Sequence, residues 1–212
     1  MDKKYWEEYY KNEFLKESLE ESSFADFCSE NYIKEGGLTL CDVGCGSGRD
    51  TFYFSRLGLN TIAIDQTTYS LRQNISIFNK SKTLQIKVIE DNFVKFNYNK
   101  IEKVDIFYSR FTLHAITDTE EMVFLEKIFH KLNKTGLLLI EARTIKDPLF
   151  GKGKYISGTT FMTDHKRRFI DSSKFLDKVN EIGYKIVYFI EKNNLSIVGT
   201  DNPFLMRVVL AK

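Results

Sequence analysis

The chain is expected to fold as an α/β protein, with a seven-stranded, mostly parallel sheet, an antiparallel last strand and helices on both faces. Three observations carry that expectation. Short apolar runs alternate with segments of helical period along the 212 residues. The runs are apolar almost throughout, as in strands covered on both faces. The last two runs, 184–191 and 205–210, have no helical segment between them, so the final strand returns antiparallel to its neighbour.

Each element has its own signal. Residues 2–19 read as a helix that sets Tyr5, Trp6, Tyr9 and Tyr10 on one side and Glu7, Glu8 and Lys11 towards water. Ser22-Ser23 caps a second helix carrying Phe24, Phe27 and Tyr32, and Gly36-Gly37 ends it. Strand one is 38–43, followed by a helix over 49–57 that Gly58 stops. Strand two covers 60–64, a helix 68–79, strand three 84–89 and strand four 104–108. The next helix offers two capping boxes, Thr117 with Glu120 and Asp118 with Glu121, and runs to about Leu132. A turn at 133–136 leads into strand five, 137–142. The stretch 145–170 reads as irregular and carries Gly151, Gly153 and the basic run Lys166-Arg167-Arg168. A helix over 172–182 ends at Gly183, ahead of strands six (184–191) and seven (205–210).

Composition narrows the function classes. Hydrophobic residues make up 42% and charged residues 28%, the balance of a globular chain. A net charge of +2 argues for neither nucleic acid nor membrane as partner. No apolar run approaches the ~20 residues of a membrane helix. The first residues lack the apolar core of a secretory signal, so a cytoplasmic location is expected. Cys28, Cys41 and Cys45 read as small buried hydrophobes, and no metal site is expected.

The chemistry is concentrated in Leu38-Thr39-Leu40-Cys41-Asp42-Val43-Gly44-Cys45-Gly46-Ser47-Gly48-Arg49-Asp50. A strand running into a glycine turn and a helix suits a nucleoside-bearing cofactor at the carboxyl ends of parallel strands. The glycines are spaced G-x-G-x-G, not the G-x-G-x-x-G of dinucleotide folds. With Asp42 before the first glycine and Asp65 closing the second strand, the stretch resembles motif I of class I S-adenosylmethionine (SAM) methyltransferases. The resemblance covers the chain from about residue 20 onward. It implies a single Rossmann-like methyltransferase domain over 1–212: an N-terminal helical cap (1–36), a cofactor-binding half (37–144), and a substrate loop with the C-terminal strands (145–212). It implies SAM as cofactor and S-adenosylhomocysteine as product. Gly44, Gly46 and Gly48 would let the backbone approach the methionine portion, with Asp42 orienting the amino end. Asp65 would accept the ribose hydroxyls. Asp91 would take the adenine amino group, Glu90 being the adjacent alternative, with Asn92 or Phe93 beside the ring and Gln66 against it. Trp6, with Tyr5 and Tyr9, is either an aromatic lid over the cofactor or plain packing.

In such a fold the acceptor enters beside strand four. No Asn/Asp-Pro-Pro-Tyr-like turn follows that strand, which disfavours an adenine-N6 or glutamine acceptor; Asp201-Asn202-Pro203-Phe204 reads as a turn. His114 is either a general base or a positioning residue. Arg110, Arg143, Arg167 and Arg168, with His165 nearby, point to an anionic acceptor, since arginine forms bidentate bonds to carboxylate and phosphate. The alternative is structural pairing, Arg143 with Glu141 or Arg207 with Asp201. The run Tyr108-Ser109-Arg110-Phe111 with Leu113-His114, then Glu141-Ala142-Arg143 and His165 ahead of Arg167-Arg168-Phe169, resembles small methyltransferases of bacterial surface-polysaccharide clusters. These include capsule clusters that build an O-methyl phosphoramidate; Lys166 departs from that pattern.

The expectation is therefore methyl transfer from SAM to an oxygen of a small anionic metabolite (phosphate, phosphoramidate or nucleotide-linked), with Arg110 and His114 at the reacting centre. Transfer to a neutral sugar or other small molecule, with His114 as base, is the alternative. A tRNA or rRNA methyltransferase and a nicotinamide-dependent oxidoreductase rank below both.

Overall fold

The computed structural model describes residues 3–13, 20–79, 83–197 and 199–212. The elements in chain order are α1 (Lys3–Glu13), α2 (Ser23–Tyr32), β1 (Thr39–Val43), α3 (Arg49–Arg56), β2 (Asn60–Asp65), α4 (Tyr69–Phe78) and β3 (Ile86–Glu90). Then come β4 (Val104–Arg110), α5 (Asp118–Lys131), β5 (Leu132–Arg143), β6 (Lys154–Ser157), β7 (Thr160–Met162), β8 (Lys166–Arg168), α6 (Ser172–Ile182), β9 (Lys185–Lys192) and β10 (Leu205–Ala211). The main sheet has seven strands in the order β3-β2-β1-β4-β5-β10-β9. β10 runs antiparallel to both β5 and β9, while the pairings among β1 to β5 are parallel.

The near-continuous apolar strands arise because both faces are covered. On adjacent positions, Leu40, Ile106, Leu139 and Val209 join Phe24 and Phe54 on the α2–α3 side. Cys41, Phe107, Leu138, Ile140 and Val208 join Phe124, Leu125, Phe175 and Val179 on the α5–α6 side. Strand side chains alternate faces, so each strand feeds both layers. Cys28 and Cys41 are fully buried among these apolar groups.

Local signals explain the boundaries. Ser22 caps α2, its hydroxyl accepting from the Ala25 amide at 3.1 Å. Of the two capping boxes, Thr117 with Glu120 forms: the Glu120 amide donates to the Thr117 hydroxyl, and the Thr117 amide to the Glu120 carboxylate at 2.9 Å. Gly183, at φ 104°, ends α6.

Two expectations change. The turn at 133–136 is absorbed into β5, which starts at Leu132 and shifts register against β4. Gly136 permits this, because a Cβ there would lie 2.9 Å from the Asp105 carbonyl oxygen. The stretch 145–170 is not irregular, since β6, β7 and β8 form a second, antiparallel sheet. These strands have three or four residues and mostly exposed side chains, so they leave no apolar alternation to read. The first helix is described only as far as Glu13, and 14–19 lie outside the described residues. No helix among the described residues is long and apolar enough to cross a membrane.

Candidate active site

Strand order reverses between β1 and β4, the place where open α/β sheets form a crevice. A cavity of about 350 Å³ lies there, walled by the carboxyl ends of β1, β2 and β4 and the residues after them, and roofed by Tyr5, Trp6, Tyr9 and Tyr10 of α1. The floor is the glycine turn. Gly44, Gly46 and Gly48 all have positive φ (71°, 55° and 85°). A Cβ would stand 2.3 Å from Thr112 Cγ2 at Gly44, and 2.2 Å from the Tyr10 hydroxyl oxygen at Gly46. Only glycine fits this turn, on grounds of both φ and space.

Carboxyls line the cavity beside the glycine turn. The Asp65 carboxylate is buried and accepts from the amides of Gly46 and Thr67, each at 3.0 Å. Burial pushes its pKa up, against the pull of those amides. Asp42 accepts from the Thr51 hydroxyl at 2.6 Å. Burial pushes Asp42 up to about 8; the Thr51 bond opposes this, and Asp50 and Asp65 reinforce it. Asp50 accepts from the Ser22 amide and hydroxyl, each at 2.8 Å, and from the Tyr108 hydroxyl at 2.7 Å. Gln66 is buried in the same wall, and its side-chain nitrogen has no hydrogen-bond partner.

Guanidiniums and imidazoles line the same cavity. Arg110 is locked, with Nε donating to Glu141 at 3.0 Å, one terminal nitrogen donating to Ser196 at 3.0 Å, and the group lying 4.4 Å over the Phe111 ring. Phe111 itself sits at φ 56°, an unusual value for a bulky residue, right after β4. Arg143 is paired with Asp147 at 3.0 Å and with Asp201. Arg167 is different: its nearest carboxylate is Asp164, at 3.7 Å. His114 is buried with Nδ1 unpartnered. Burial, together with Arg167, His165, Arg143 and Arg168, holds its pKa well below the usual range, so the ring is neutral at pH 7. His165 is also buried, and neither ring nitrogen makes an aligned hydrogen bond. Its Nδ1 stands 3.0 Å from the Asp164 carboxylate.

The structure brings together Trp6, Asp42, Gly44, Asp65, Gln66, Phe93, Arg110, His114, Arg143, His165 and Arg167 around this one cavity, with Gly46 and Gly48 in the turn beneath. It does not bring Asp91, Asn92 or Arg168 to the wall. The Asp91 side chain is exposed, and its amide donates to the Asp65 carbonyl at 3.0 Å. Glu90, the alternative, accepts from the Thr68 hydroxyl at 2.7 Å. The Asn92 side chain is used locally, accepting from the Val94 amide. Arg168 is pinned by Glu121 and donates to the carbonyls of Leu113 and Ile116 at 3.0 and 2.8 Å. It fixes the 3-10 turn that carries His114 and faces a different cavity, beside Glu121 and Lys178. The pairings expected, Arg143 with Glu141 and Arg207 with Asp201, do not form; both arginines are paired, but with the other acid, Arg207 with Glu141 at 2.7 Å and Arg143 with Asp201. Sequence reasoning missed Asp50, Tyr108 and Asp164. Asp50 was visible as a carboxylate one helical residue past the glycine turn; Asp164 and Tyr108 carried no spacing signal.

A family model described as a methyltransferase domain matches residues 34–181. Carboxy-S-adenosyl-L-methionine synthase of Campylobacter jejuni subsp. jejuni serotype O:23/36 is 22% identical over 120 residues, 56% of this chain and 49% of that protein. The chain thus spans about half the length of the curated relatives it matches. Among solved structures, 1,6-didemethyltoxoflavin-N1-methyltransferase of Burkholderia thailandensis, with bound 1,6-didemethyltoxoflavin and S-adenosylhomocysteine, superposes with a TM-score of 0.70 at 13% identity. That alignment covers 97% of this chain and 83% of the other. A SAM-dependent methyltransferase of Methanosarcina mazei gives a TM-score of 0.73 at 14% identity, over 86% and 95% of the two chains. At these identities the structural likeness establishes the Rossmann-like methyltransferase fold alone. The family match, which takes in strands β1 to β5 and the whole glycine turn, spans well over half of the sequence, and the chain belongs to the methyltransferase-domain family.

Proposed function

We propose that the chain transfers a methyl group from SAM to an oxygen of a small anionic acceptor. The observation that carries this reading is that one cavity is lined both by carboxyls beside the glycine turn, Asp42, Asp50 and Asp65, and by the guanidiniums of Arg110, Arg143 and Arg167. The carboxyls beside the glycine turn suit a donor that bears a sulfonium and an ammonium, whose positive charge favours their ionised form. The glycine cradle, the Asp65 carboxylate and the unpartnered Gln66 nitrogen fit a nucleoside that needs hydroxyl and amino-group partners. When bound there, SAM supplies an electrophilic methyl group.

The chain's own contribution is placement. Holding two reactants in line is worth roughly 7–11 kcal/mol of barrier. The α1 aromatics line the cavity beside the glycine turn, and Arg167, unlike Arg110 and Arg143, has no carboxylate among the described residues within hydrogen-bond distance. An acceptor oxygen that is already an anion needs no base. A second reading is favoured by the unpartnered, neutral Nδ1 of His114, which would take the proton of a hydroxyl acceptor.

The test is to incubate the chain with methyl-labelled SAM and a metabolite extract fractionated by charge. Label is expected to be incorporated when the acidic fraction supplies the acceptor. Label incorporated only with the neutral or basic fractions would overturn the anionic-acceptor reading.

A further inference from the structure

We propose that Tyr5, His165 and Arg167 form an oxyanion subsite guarded by Asp164, whose carboxylate holds the place that the acceptor's phosphate or carboxylate group takes. The inference rests on the anionic-acceptor reading above and names the residues that select the acceptor.

Arg167 stands apart among the arginines that line the cavity. Arg110 and Arg143 donate hydrogen bonds to carboxylates at about 3 Å, from Glu141 and Asp147. The Arg167 side chain is 14% exposed, and its Asp164 partner, at 3.7 Å, is 59% exposed. That distance is beyond a hydrogen bond, and a pair whose carboxylate is solvated contributes little. A desolvated guanidinium facing Arg143, with only a distant and solvated counter-charge, has its bidentate donor edge to offer.

The second observation is independent of charge. His165 lines the cavity with only 7% of its surface exposed; its Nδ1 stands 3.0 Å from the Asp164 carboxylate, and its Nε2 has no hydrogen-bond partner among the described residues. Burying Nε2 without a partner is costly unless a ligand completes it. The Tyr5 ring stacks on this imidazole, centroids 4.7 Å apart, and its hydroxyl donates to the Asp164 carboxylate at 3.2 Å. Asp164 therefore stands within 3.7 Å of all three groups. An acceptor oxyanion that binds them takes the place of the Asp164 carboxylate, one anion for another, while that carboxylate turns to solvent.

The exchange has a built-in reporter. Trp6 is the chain's single tryptophan. It sits beside Tyr5 on α1, edge-on to His165 at 5.2 Å and 6.4 Å from the His114 ring. Replacing the Asp164 contact to Tyr5 changes its surroundings.

The experiment is a titration of Trp6 emission in the full chain with inorganic phosphate and, separately, with acetate. Sodium chloride at matched ionic strength is the control. The expected result is a saturable change with at least one of the two anions, which also says whether the subsite prefers phosphate or carboxylate. Asp164→Asn keeps an acceptor for Tyr5 and removes only the charge. Its midpoint is expected to fall about fivefold or more, the effect of deleting one like charge near 4 Å in a wet site. Arg167→Gln should abolish the response and Arg167→Lys should weaken it. If Asp164→Asn does not fold, as judged by circular dichroism, Asp164→Ser replaces it. An unchanged or raised midpoint on removing the Asp164 charge overturns the guard. No saturable response to either anion in any variant overturns the subsite. S-adenosylhomocysteine binding, measured calorimetrically on the same samples, tests the methyltransferase reading separately.

Discussion

His114 shows at residue scale how the surroundings decide chemistry. It was legible from sequence as the histidine after strand four, but its protonation state was not. That state comes from burial and from Arg143, Arg167 and Arg168, which the second sheet and β5 bring towards it. The unfolded imidazole binds a proton near pH 6.5, while the folded one binds it only at much lower pH. The contribution of this group to stability is therefore full above about pH 6.5 and is lost as pH falls below it. His165 is pushed the same way by burial and Arg167. Urea unfolding at pH 7.5 and 5.5 should show a larger loss for the native chain than for His114→Asn; equal losses would count against this. In turnover, His114→Ala should cost ~10²–10⁴ if Nδ1 is a base and far less if it only holds an anionic acceptor. Asp164 was not legible at all, because only the folded hairpin puts it against Tyr5 on a helix 159 residues away.

At the scale of elements, long buried strands and capped helices were readable, and short exposed strands were not. β1 and β2 announced themselves by apolar runs closed by glycine or aspartate. The β6–β8 sheet has too few residues per strand to show a period, yet it carries Asp164, His165 and Arg167 to the cavity. One feature ties three strands together. Glu141 on β5 stands directly opposite Arg110 on β4 and Arg207 on β10. It accepts from both, at 3.0 and 2.7 Å, and is fully buried. Arg207 also lies over Phe24 and Phe27, 5.3 and 5.2 Å from the ring centres, which joins α2 to the same cluster. Removing the shared carboxylate leaves two guanidiniums without their counter-charge. Glu141→Gln should therefore destabilise the fold by about 3–5 kcal/mol, read as a lower melting temperature by scanning calorimetry. A shift within error would mean that solvent reaches both arginines.

Over the whole molecule, the sheet order places a carboxylate-lined cradle and a cation-lined wall around one cavity, and α1 covers both. The glycine spacing was enough to indicate a methyl donor rather than a dinucleotide, because it reports backbone shape that neighbouring side chains do not alter. The acceptor end depends on which arginines are neutralised by buried acids, and that pairing is set by tertiary register. Asp65 is the residue on which the cofactor reading turns, since its carboxylate meets the Gly46 amide and faces the cavity. The most direct measurement is calorimetric binding of S-adenosylhomocysteine and of NAD to the native chain and to Asp65→Ala. The expected result is one saturable site for S-adenosylhomocysteine, weakened tenfold or more (about 1.4 kcal/mol) in the variant, and no site for NAD. Absence of S-adenosylhomocysteine binding, or equal binding by the variant, would contradict the account.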